Sequence, residues 1–327
     1  MNFLITGVAG FLGAALAARL VREGHQVRGI DDLSTGDPRR VPPGVHFSRG
    51  DVNDRPKLWT LLQDVDCVYH LAARVSVPES VLYPSAYNHV NVGGTVSLME
   101  AARDAGVRRV VLVSSGAIYG RQDAPALHED LRPNPGSPYA VSKLAAEYYV
   151  HTLGRLWGIE TVALRVFNAY GPGQPLPPAY PPVIPNFLYQ AVRGGTLVIH
   201  GDGRQTRDFV YVDDVVRALV AAGTAPGLAG QVINVGSGEE TSIRELANLI
   251  LELTGRRATV LFNPRRDRGV ERMRADLTKA RRLLGYQPRY TLREGLLATL
   301  RLDPRFSAVW NKALTASPTE VEPNPWP

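Results

Sequence analysis

Short apolar runs alternate with helical periodicity along the first half of the chain. The run NFLIT is followed by glycines and then by FLGAALAARLVREG, where apolar residues recur every three or four positions. The runs QVRGID, CVYHLAA, RRVVLVSS and ETVALRVFN follow, with helical stretches such as VGGTVSLMEAARDAG and SKLAAEYYVHTLGRLWG between them. Strands that alternate with helices predict an α/β fold: a doubly wound parallel sheet covered on both faces.

The second half of the chain has a different character. AYGPGQPLPPAYPPVIP is rich in Pro and Gly, which predicts a loop, and helical and strand patterns such as VDDVVRALVAAG and QVINVG follow it. We therefore expect a nucleotide-binding domain over 1–167 and 208–235. A smaller, interleaved substrate-binding domain is expected over 168–207 and 236–312, with a flexible tail over 313–327.

The composition is that of an ordinary globular protein, with 327 residues of which 44% are hydrophobic and 21% charged. No apolar run reaches membrane-spanning length, and the first residues lack the pattern of a signal peptide. The single cysteine, Cys67, lies in the apolar run VDCVYHLAA and is expected in the core. We expect a cytoplasmic protein without a membrane partner.

The net charge of +6 raises the question of a nucleic-acid partner. The arginines are scattered, and we find no contiguous basic stretch interleaved with aromatic residues. Arginine also favours bidentate contacts with phosphate, so an anionic small ligand accounts for the charge equally well. We expect no nucleic-acid partner.

A glycine-rich turn joins the first strand to the first helix. TGVAGFLG places Gly7, Gly10 and Gly13 where a backbone can turn sharply and approach a pyrophosphate. Asp31 ends the second strand, 18 residues beyond Gly13. A carboxylate there accepts the ribose hydroxyls of a dinucleotide and repels a 2′-phosphate, so the unit predicts binding of NAD rather than NADP.

The stretch SPYAVSKLAAEYY holds Tyr139 and Lys143 four residues apart at the start of a predicted helix. A phenol with a pKa near 10 is a poor base at neutral pH, but a nearby cation lowers that pKa. The spacing puts both groups on one helix face, which suits acid–base chemistry.

With these motifs together, the chain resembles the extended short-chain dehydrogenase/reductase superfamily. It looks most like the nucleotide-sugar 4-epimerases, from Met1 to about Leu300. DDLSTG, GDVND, HLAA, SSGAIYG, LRVFNAYGP and GDGRQTRDFVYVDD carry the resemblance. It implies NAD as the cofactor and no metal. The implied cofactor contacts are Gly7, Gly10, Phe11, Leu12, Gly13, Asp31, Asp32, Ser34, Thr35, Gly36, Asp51, Val52, Leu71, Ala72, Ala73, Asn91, Ser114, Tyr139, Lys143 and Phe167.

The resemblance also implies the roles of the reacting groups. Tyr139 would be the acid/base, Lys143 would lower its pKa and bind the nicotinamide ribose, and Ser115 would bond the reacting sugar oxygen. Arg207 and Arg266 would bind the diphosphate of a UDP-sugar. The implied substrate contacts are Ser115, Gly116, Ala117, Tyr139, Asn168, Val183, Ile184, Phe187, Arg207 and Arg266.

The positions after Ser115 bear on the reaction. Dehydratases of the superfamily carry Asp and Glu there, whereas Gly116 and Ala117 cannot move a proton. Related uronate epimerases replace Asn168 with Thr and carry Arg-Gln-Arg after the next Gly-Pro, where this chain has GPGQPL. The resemblance thus implies a 4-epimerase of UDP-glucose and UDP-galactose, and UDP-N-acetylglucosamine stays open because Met273 stands near the expected C2 gate.

Three alternatives stay open: a UDP-glucuronate 4-epimerase, another NAD-dependent nucleotide-sugar dehydratase or reductase, and a non-catalytic NAD(H)-binding relative. The resemblance further implies a homodimer formed by the helices at 91–105 and 139–156. Val92, Val96, Leu98 and Met99 suit burial there, although they would equally suit packing on their own sheet.

Overall fold

The structure is a computed structural model that describes residues 1–256, 258–264 and 270–315. The chain forms two compact units. Within the described residues, the first unit holds Met1–Ala169, Thr206–Thr241 and 270–291, and the second holds Tyr170–Gln205, 242–256, 258–264 and 292–315.

A seven-stranded sheet forms the centre of the first unit. Its strands are β1 (Asn2–Thr6), β2 (Gln26–Asp31), β3 (Val45–Arg49), β4 (Cys67–His70), β5 (Arg109–Ser115), β6 (Glu160–Val166) and β11 (Gln231–Val235). They lie in the order β11-β6-β5-β4-β1-β2-β3, and every pair is parallel. The predicted doubly wound parallel sheet is confirmed. Its strand order reverses between β1 and β4, where such sheets bind ligands at their carboxyl ends.

Helices cover both faces of this sheet. They are α1 (Phe11–Arg22), α2 (Arg55–Leu62), α3 (Val77–Leu82), α4 (Pro84–Tyr87), α5 (Gly94–Asp104), α6 (Pro138–Trp157), α8 (Val212–Thr224) and α10 (Thr278–Leu284), with 3-10 turns at Pro38–Arg40 and Gly116–Tyr119 and a π-helical turn at Asn88–Gly93. α1 packs with α8, and α5 packs with α2 and α6. Leu98 and Met99 of α5 are buried in a core with Val68 and Val110 of the sheet. Of the two placements that the sequence left open for Leu98 and Met99, the structure shows packing on their own sheet.

α6 is fixed closely at both ends. Ser137 precedes Pro138, and its hydroxyl accepts a hydrogen bond from the Ala140 N–H over 3.2 Å. The helix ends at Gly158, which adopts the left-handed conformation with φ of 71°. Near that end, a Cβ at Gly154 would lie 2.5 Å from the Thr161 side chain, so only glycine lets the helix approach β6 this closely.

The second unit is mainly helical. It contains α7 (Val183–Val192), β8 (Thr196–His200), α9 (Ile243–Thr254), β13 (Thr259–Asn263), α11 (Leu292–Leu302) and α12 (Pro304–Thr315). β8 and β13 are parallel, and α7 packs against α9 and α12. The predicted loop is present over 171–182, where the chain has no helix or strand. Four short strands complete the list: β7 (Asn168–Tyr170), β9 (Thr206–Arg207), β10 (Phe209–Tyr211) and β12 (Thr241–Ser242). Across the described ranges no helix combines the length and apolarity needed to cross a membrane.

The division of the chain differs from the expected domains. Residues 236–241 and 270–291 belong to the first unit, although we expected them in the second. Asp208 contributes to this difference: it is fully buried and accepts backbone N–H bonds from Ser237, Gly238 and Ala275 at 2.6, 3.0 and 3.0 Å. α12 continues to Thr315 and so includes the first three residues of the expected tail, and 316–327 lie outside the described residues.

Candidate active site

The turn between β1 and α1 is built from glycines because the backbone leaves no room for side chains. Gly7 has a φ of 71°, and a Cβ on it would lie 2.8 Å from the Ala72 nitrogen. A Cβ on Gly13 would lie 2.1 Å from the Gly7 carbonyl oxygen. α1 begins after Gly10 without a side-chain cap. Its first N–H groups are therefore available to an anion, which suits the pyrophosphate of NAD.

Asp31 closes this turn from the end of β2. Its carboxylate is 7% exposed and accepts N–H bonds from Ala9 and Leu33, both at 2.9 Å. Burial raises its pKa, and these two bonds lower it. A carboxylate has further lone pairs for ribose hydroxyls. The following turn crowds Asp31, since a Cβ on Gly36 would lie 2.7 Å from its Oδ1, while Asp32, Ser34 and Thr35 are exposed.

The side chains of Tyr139 and Lys143 are both withdrawn from water, with 9% and 4% exposure. Burial raises the pKa of the Tyr139 phenol, and a hydrogen bond with Ser115 acts in the opposite direction. The pKa of Tyr139 is raised overall, because desolvation outweighs that bond. We had expected the Tyr139 pKa to be lowered. Burial also lowers the pKa of Lys143, to about 8.

Ser115 also shapes the segment after β5. Its hydroxyl accepts a bond from the Ala117 N–H at 3.1 Å and so begins the 3-10 turn. A Cβ on Gly116 would lie 3.2 Å from the Phe167 ring, so a larger residue would displace that ring. The structure thus puts two residues without acid or base groups directly after the Ser115 hydroxyl.

A buried hydrogen-bond network connects the cofactor turn to α6. The Thr6 hydroxyl bonds His70 Nδ1 at 2.8 Å, and His70 Nε2 bonds the Thr95 hydroxyl at 2.9 Å. Thr95 donates to the Asn91 carbonyl at 2.6 Å, and the Asn91 amide donates to the Ser142 hydroxyl at 2.9 Å. Burial lowers the pKa of His70 to about 3, so this imidazole is neutral. Sequence reasoning named only Asn91 among these residues. The signal for the others was the polar His70 within an apolar strand.

Sequence reasoning also missed the packing against the Tyr139 ring. The Tyr87 ring meets the Tyr139 ring edge-on, with centroids 6.4 Å apart. The Tyr87 hydroxyl donates to Glu79 at 2.8 Å, and Arg74 forms an ion pair with Glu79 at 3.3 Å. Tyr87 is fully buried, so this contact limits how the Tyr139 ring can tilt.

Arg207 is half-buried in the first unit. Its guanidinium donates to the carbonyls of Thr206 and Val270, both at 2.7 Å, and burial lowers its pKa. The Asn168 N–H donates to the Asp208 carbonyl at 3.0 Å. Arg266, the other expected diphosphate ligand, lies outside the described residues.

The remaining expected contacts are distributed over both units. Leu71 and Ala72 donate backbone N–H bonds to the Thr6 hydroxyl at 3.2 and 3.1 Å, and Ala73 follows them. In the first unit Phe11 and Leu12 open α1, Val52 and Met273 are buried and Asp51 is exposed. In the second unit Ile184 and Phe187 are each 2% exposed and Val183 is half-buried at the start of α7.

Comparisons with known proteins agree with this geometry. Residues 3–236 match the model of the NAD dependent epimerase/dehydratase family. A UDP-glucose 4-epimerase of Mycolicibacterium smegmatis is 42% identical over 307 residues, which cover 92% of this chain and 97% of that protein. The structure of Thermotoga maritima UDP-glucose 4-epimerase with UDP-glucose superposes with a TM-score of 0.89 at 34% identity, covering 96% of this chain and 100% of that one. MoeE5, in complex with UDP-glucuronic acid and NAD, has a TM-score of 0.84 at 35% identity, with 94% and 99% covered.

The Gly13→Ala substitution tests the cofactor turn. The added methyl group would overlap the Gly7 carbonyl, and its accommodation must distort the turn. We expect bound NAD per chain to fall at least about tenfold, since each 1.4 kcal/mol lost is a factor of ten in affinity. NAD is measured in the supernatant of the denatured protein.

Gly136→Ala is the matched control, because a Cβ there meets no atom within 4 Å. Full NAD content in Gly13→Ala would contradict the assigned role of this turn.

Proposed function

The chain belongs to the NAD dependent epimerase/dehydratase family, and from this premise we propose that it is an NAD-dependent UDP-hexose 4-epimerase. The observation that carries the proposal is the buried Tyr139–Lys143 pair with Ser115 bonded to the phenol. Gly116 and Ala117 follow Ser115 and supply no second acid or base. Such a site supports loss and return of one proton, which is what inversion at a single alcohol carbon needs.

Tyr139, Lys143 and Ser115 have separate roles in that inversion. When bound, NAD⁺ would supply the acceptor for the hydride from C4 of the sugar and the source from which that hydride returns to the other face of C4. Tyr139 takes the proton of the C4 hydroxyl and returns it to the C4 oxygen after the sugar has turned its other face. The Lys143 ammonium stabilises the Tyr139 phenolate that takes the proton and that forms again when the proton is returned, and the Ser115 hydroxyl holds the sugar oxygen beside the phenol.

The proposed fit of NAD rests on the crowded glycine turn, the uncapped start of α1 and the Asp31 carboxylate. Arg207 would hold the substrate diphosphate, because carbonyl bonds orient its guanidinium and arginine binds phosphate oxygens bidentately. No cation stands in the GPGQPL segment to pair with a sugar carboxylate. We therefore favour UDP-glucose and UDP-galactose over UDP-glucuronate as substrates. Whether N-acetylated UDP-sugars are also substrates stays open.

We further propose that two copies of the chain associate through α3 and α6. These neighbouring helices, with Tyr83 directly after α3, expose large apolar side chains: Val81, Leu82, Tyr83, Val141, Tyr148 and Tyr149 are 45–63% exposed. A second copy would cover them, and a stable interface buries about 800 Å² per partner. A cytoplasmic location stays a prediction, which rests on the single, buried cysteine.

Proton NMR of the purified protein with UDP-glucose tests the function. We expect the anomeric signal of UDP-galactose to appear without added NAD. Tyr139→Phe should retain bound NAD and lose roughly 10²- to 10⁴-fold in rate, the usual contribution of a positioned acid/base.

Tyr148→Phe is the control on the same helix, because its exposed hydroxyl has no assigned role. Parallel incubations with UDP-N-acetylglucosamine and UDP-glucuronate give the sugar preference. If the native protein carried NAD yet converted none of the three sugars, the proposed reaction would be refuted while the cofactor assignment would stand.

Sedimentation velocity tests the association. We expect a dimer of the native chain and a monomer of Tyr148→Arg at micromolar concentration, because the introduced charge would be buried without a partner. Trp59→Arg on α2 is the control, since Trp59 is 48% exposed but lies away from α3 and α6 in the sequence. A dimer that survives Tyr148→Arg unchanged argues for a different interface.

A further inference from the structure

Glu147 lies one helical turn beyond Lys143 on the buried face of α6. Residues four apart on a helix stand above one another, so Tyr139, Lys143 and Glu147 form one row along that face. Glu147 is only 2% exposed. Carboxylates are almost never buried to this degree unless they are paired, so its partners matter.

Those partners come from two neighbouring strands. The Ser114 hydroxyl of β5 donates to Glu147 Oε1 at 2.5 Å. Arg165 of β6 donates its Nε to Oε1 at 3.0 Å and its Nη2 to Oε2 at 2.9 Å. Ser114 and Arg165 are direct partners in the strand register, so both side chains leave the sheet at the same level. Through these bonds Glu147 connects α6 to the ends of β5 and β6.

The Arg165 guanidinium is itself held in place. It lies over the Tyr119 ring, 4.8 Å from the ring centroid, and Arg165 is 4% exposed. The Tyr119 hydroxyl in turn donates to Asn234 at 2.7 Å. The ion pair is therefore rigid, bidentate and removed from water, which is the geometry in which a charge acts strongly on its neighbours.

We propose that Glu147 is a positioning residue of the active site: it fixes the α6 row against the strand that ends in Ser115, and it faces the Lys143 ammonium with a negative charge. The positioning role follows from the chain connectivity. Ser114 bonds Glu147, and the next residue, Ser115, bonds Tyr139. The inference rests on the proposed function for its effect on catalysis, but not for its effect on Lys143.

The charge effect has a definite sign. Lys143 is faced by Tyr139 and Glu147 from its own helix and by His70 from β4, and Arg165 of β6 stands behind Glu147. His70 is neutral, because burial lowers its pKa to about 3. Burial lowers the pKa of Lys143, and the Glu147 charge raises it. Loss of the Glu147 charge must therefore lower the pH at which Lys143 loses its proton, and loss of the Arg165 charge must raise it.

NMR of protein labelled with [ε-¹³C]lysine measures this directly. The chain has four lysines, Lys57, Lys143, Lys279 and Lys312, and Lys143→Arg identifies the signal of interest. We expect Glu147→Gln to move the Lys143 titration down by about one pH unit. Arg165→Gln should move it up, and the other three signals should not move.

The second measurement is the pH dependence of kcat and KM for the same variants. The alkaline limb of kcat should shift in the same directions, with KM within about twofold of the native value. If Glu147→Gln does not fold, Glu147→Gln/Arg165→Gln avoids an unpaired buried charge. It should still titrate below the native protein, because the nearer charge is lost.

An unchanged Lys143 titration in Glu147→Gln, or shifts of the same sign in both single variants, would overturn the proposal and leave Glu147 a purely structural role. If the native protein epimerises no UDP-hexose, the proposed function fails, but the lysine titration still decides this inference.

Discussion

Removal of the Tyr139 phenol and the Lys143 ammonium from water is the constraint on which the rest of the site depends. Burial raises the pKa of the phenol and lowers that of the ammonium to about 8, so desolvation favours the neutral form of both. Acid–base chemistry at neutral pH needs the opposite pair of charges. The Ser115 hydroxyl and the Glu147 carboxylate oppose the desolvation. Ser115 ends β5, and Glu147 lies on α6 and accepts a bond from Ser114 of β5.

α6 and the glycine turn share one set of hydrogen bonds. Thr6 ends β1 just before the glycine turn, and its hydroxyl bonds His70. From His70 the hydrogen bonds continue through Thr95 and Asn91 to Ser142 near the start of α6. A neutral imidazole can serve as donor at one nitrogen and acceptor at the other, which a protonated one cannot. The low pKa of His70 therefore keeps the connection intact across the working range of pH.

The sequence predicted the parts of this site that have local signals. Gly7, Gly13 and Asp31 follow from a strand–turn–helix–strand pattern within some thirty residues, and Tyr139 with Lys143 from the helical repeat. It did not identify Glu147 or His70, because their partners lie 18 to 64 positions away and only the folded sheet aligns them. The place of 270–291 in the first unit was also missed, because the contacts that hold this segment, such as the bond from Ala275 to the buried Asp208, join residues far apart in the sequence.

Titration of Tyr139 by NMR of [ζ-¹³C]tyrosine-labelled protein with NAD⁺ bound tests the central claim most directly. Tyr139→Phe identifies the signal among the thirteen tyrosines. If the Lys143 ammonium offsets the desolvation of the phenol, part of Tyr139 will be phenolate below about pH 8, where Lys143 keeps its proton, and Lys143→Met will shift this ionisation to higher pH. Equal titration in the two proteins would contradict the account, because the buried ammonium would then have no influence on the phenol it faces.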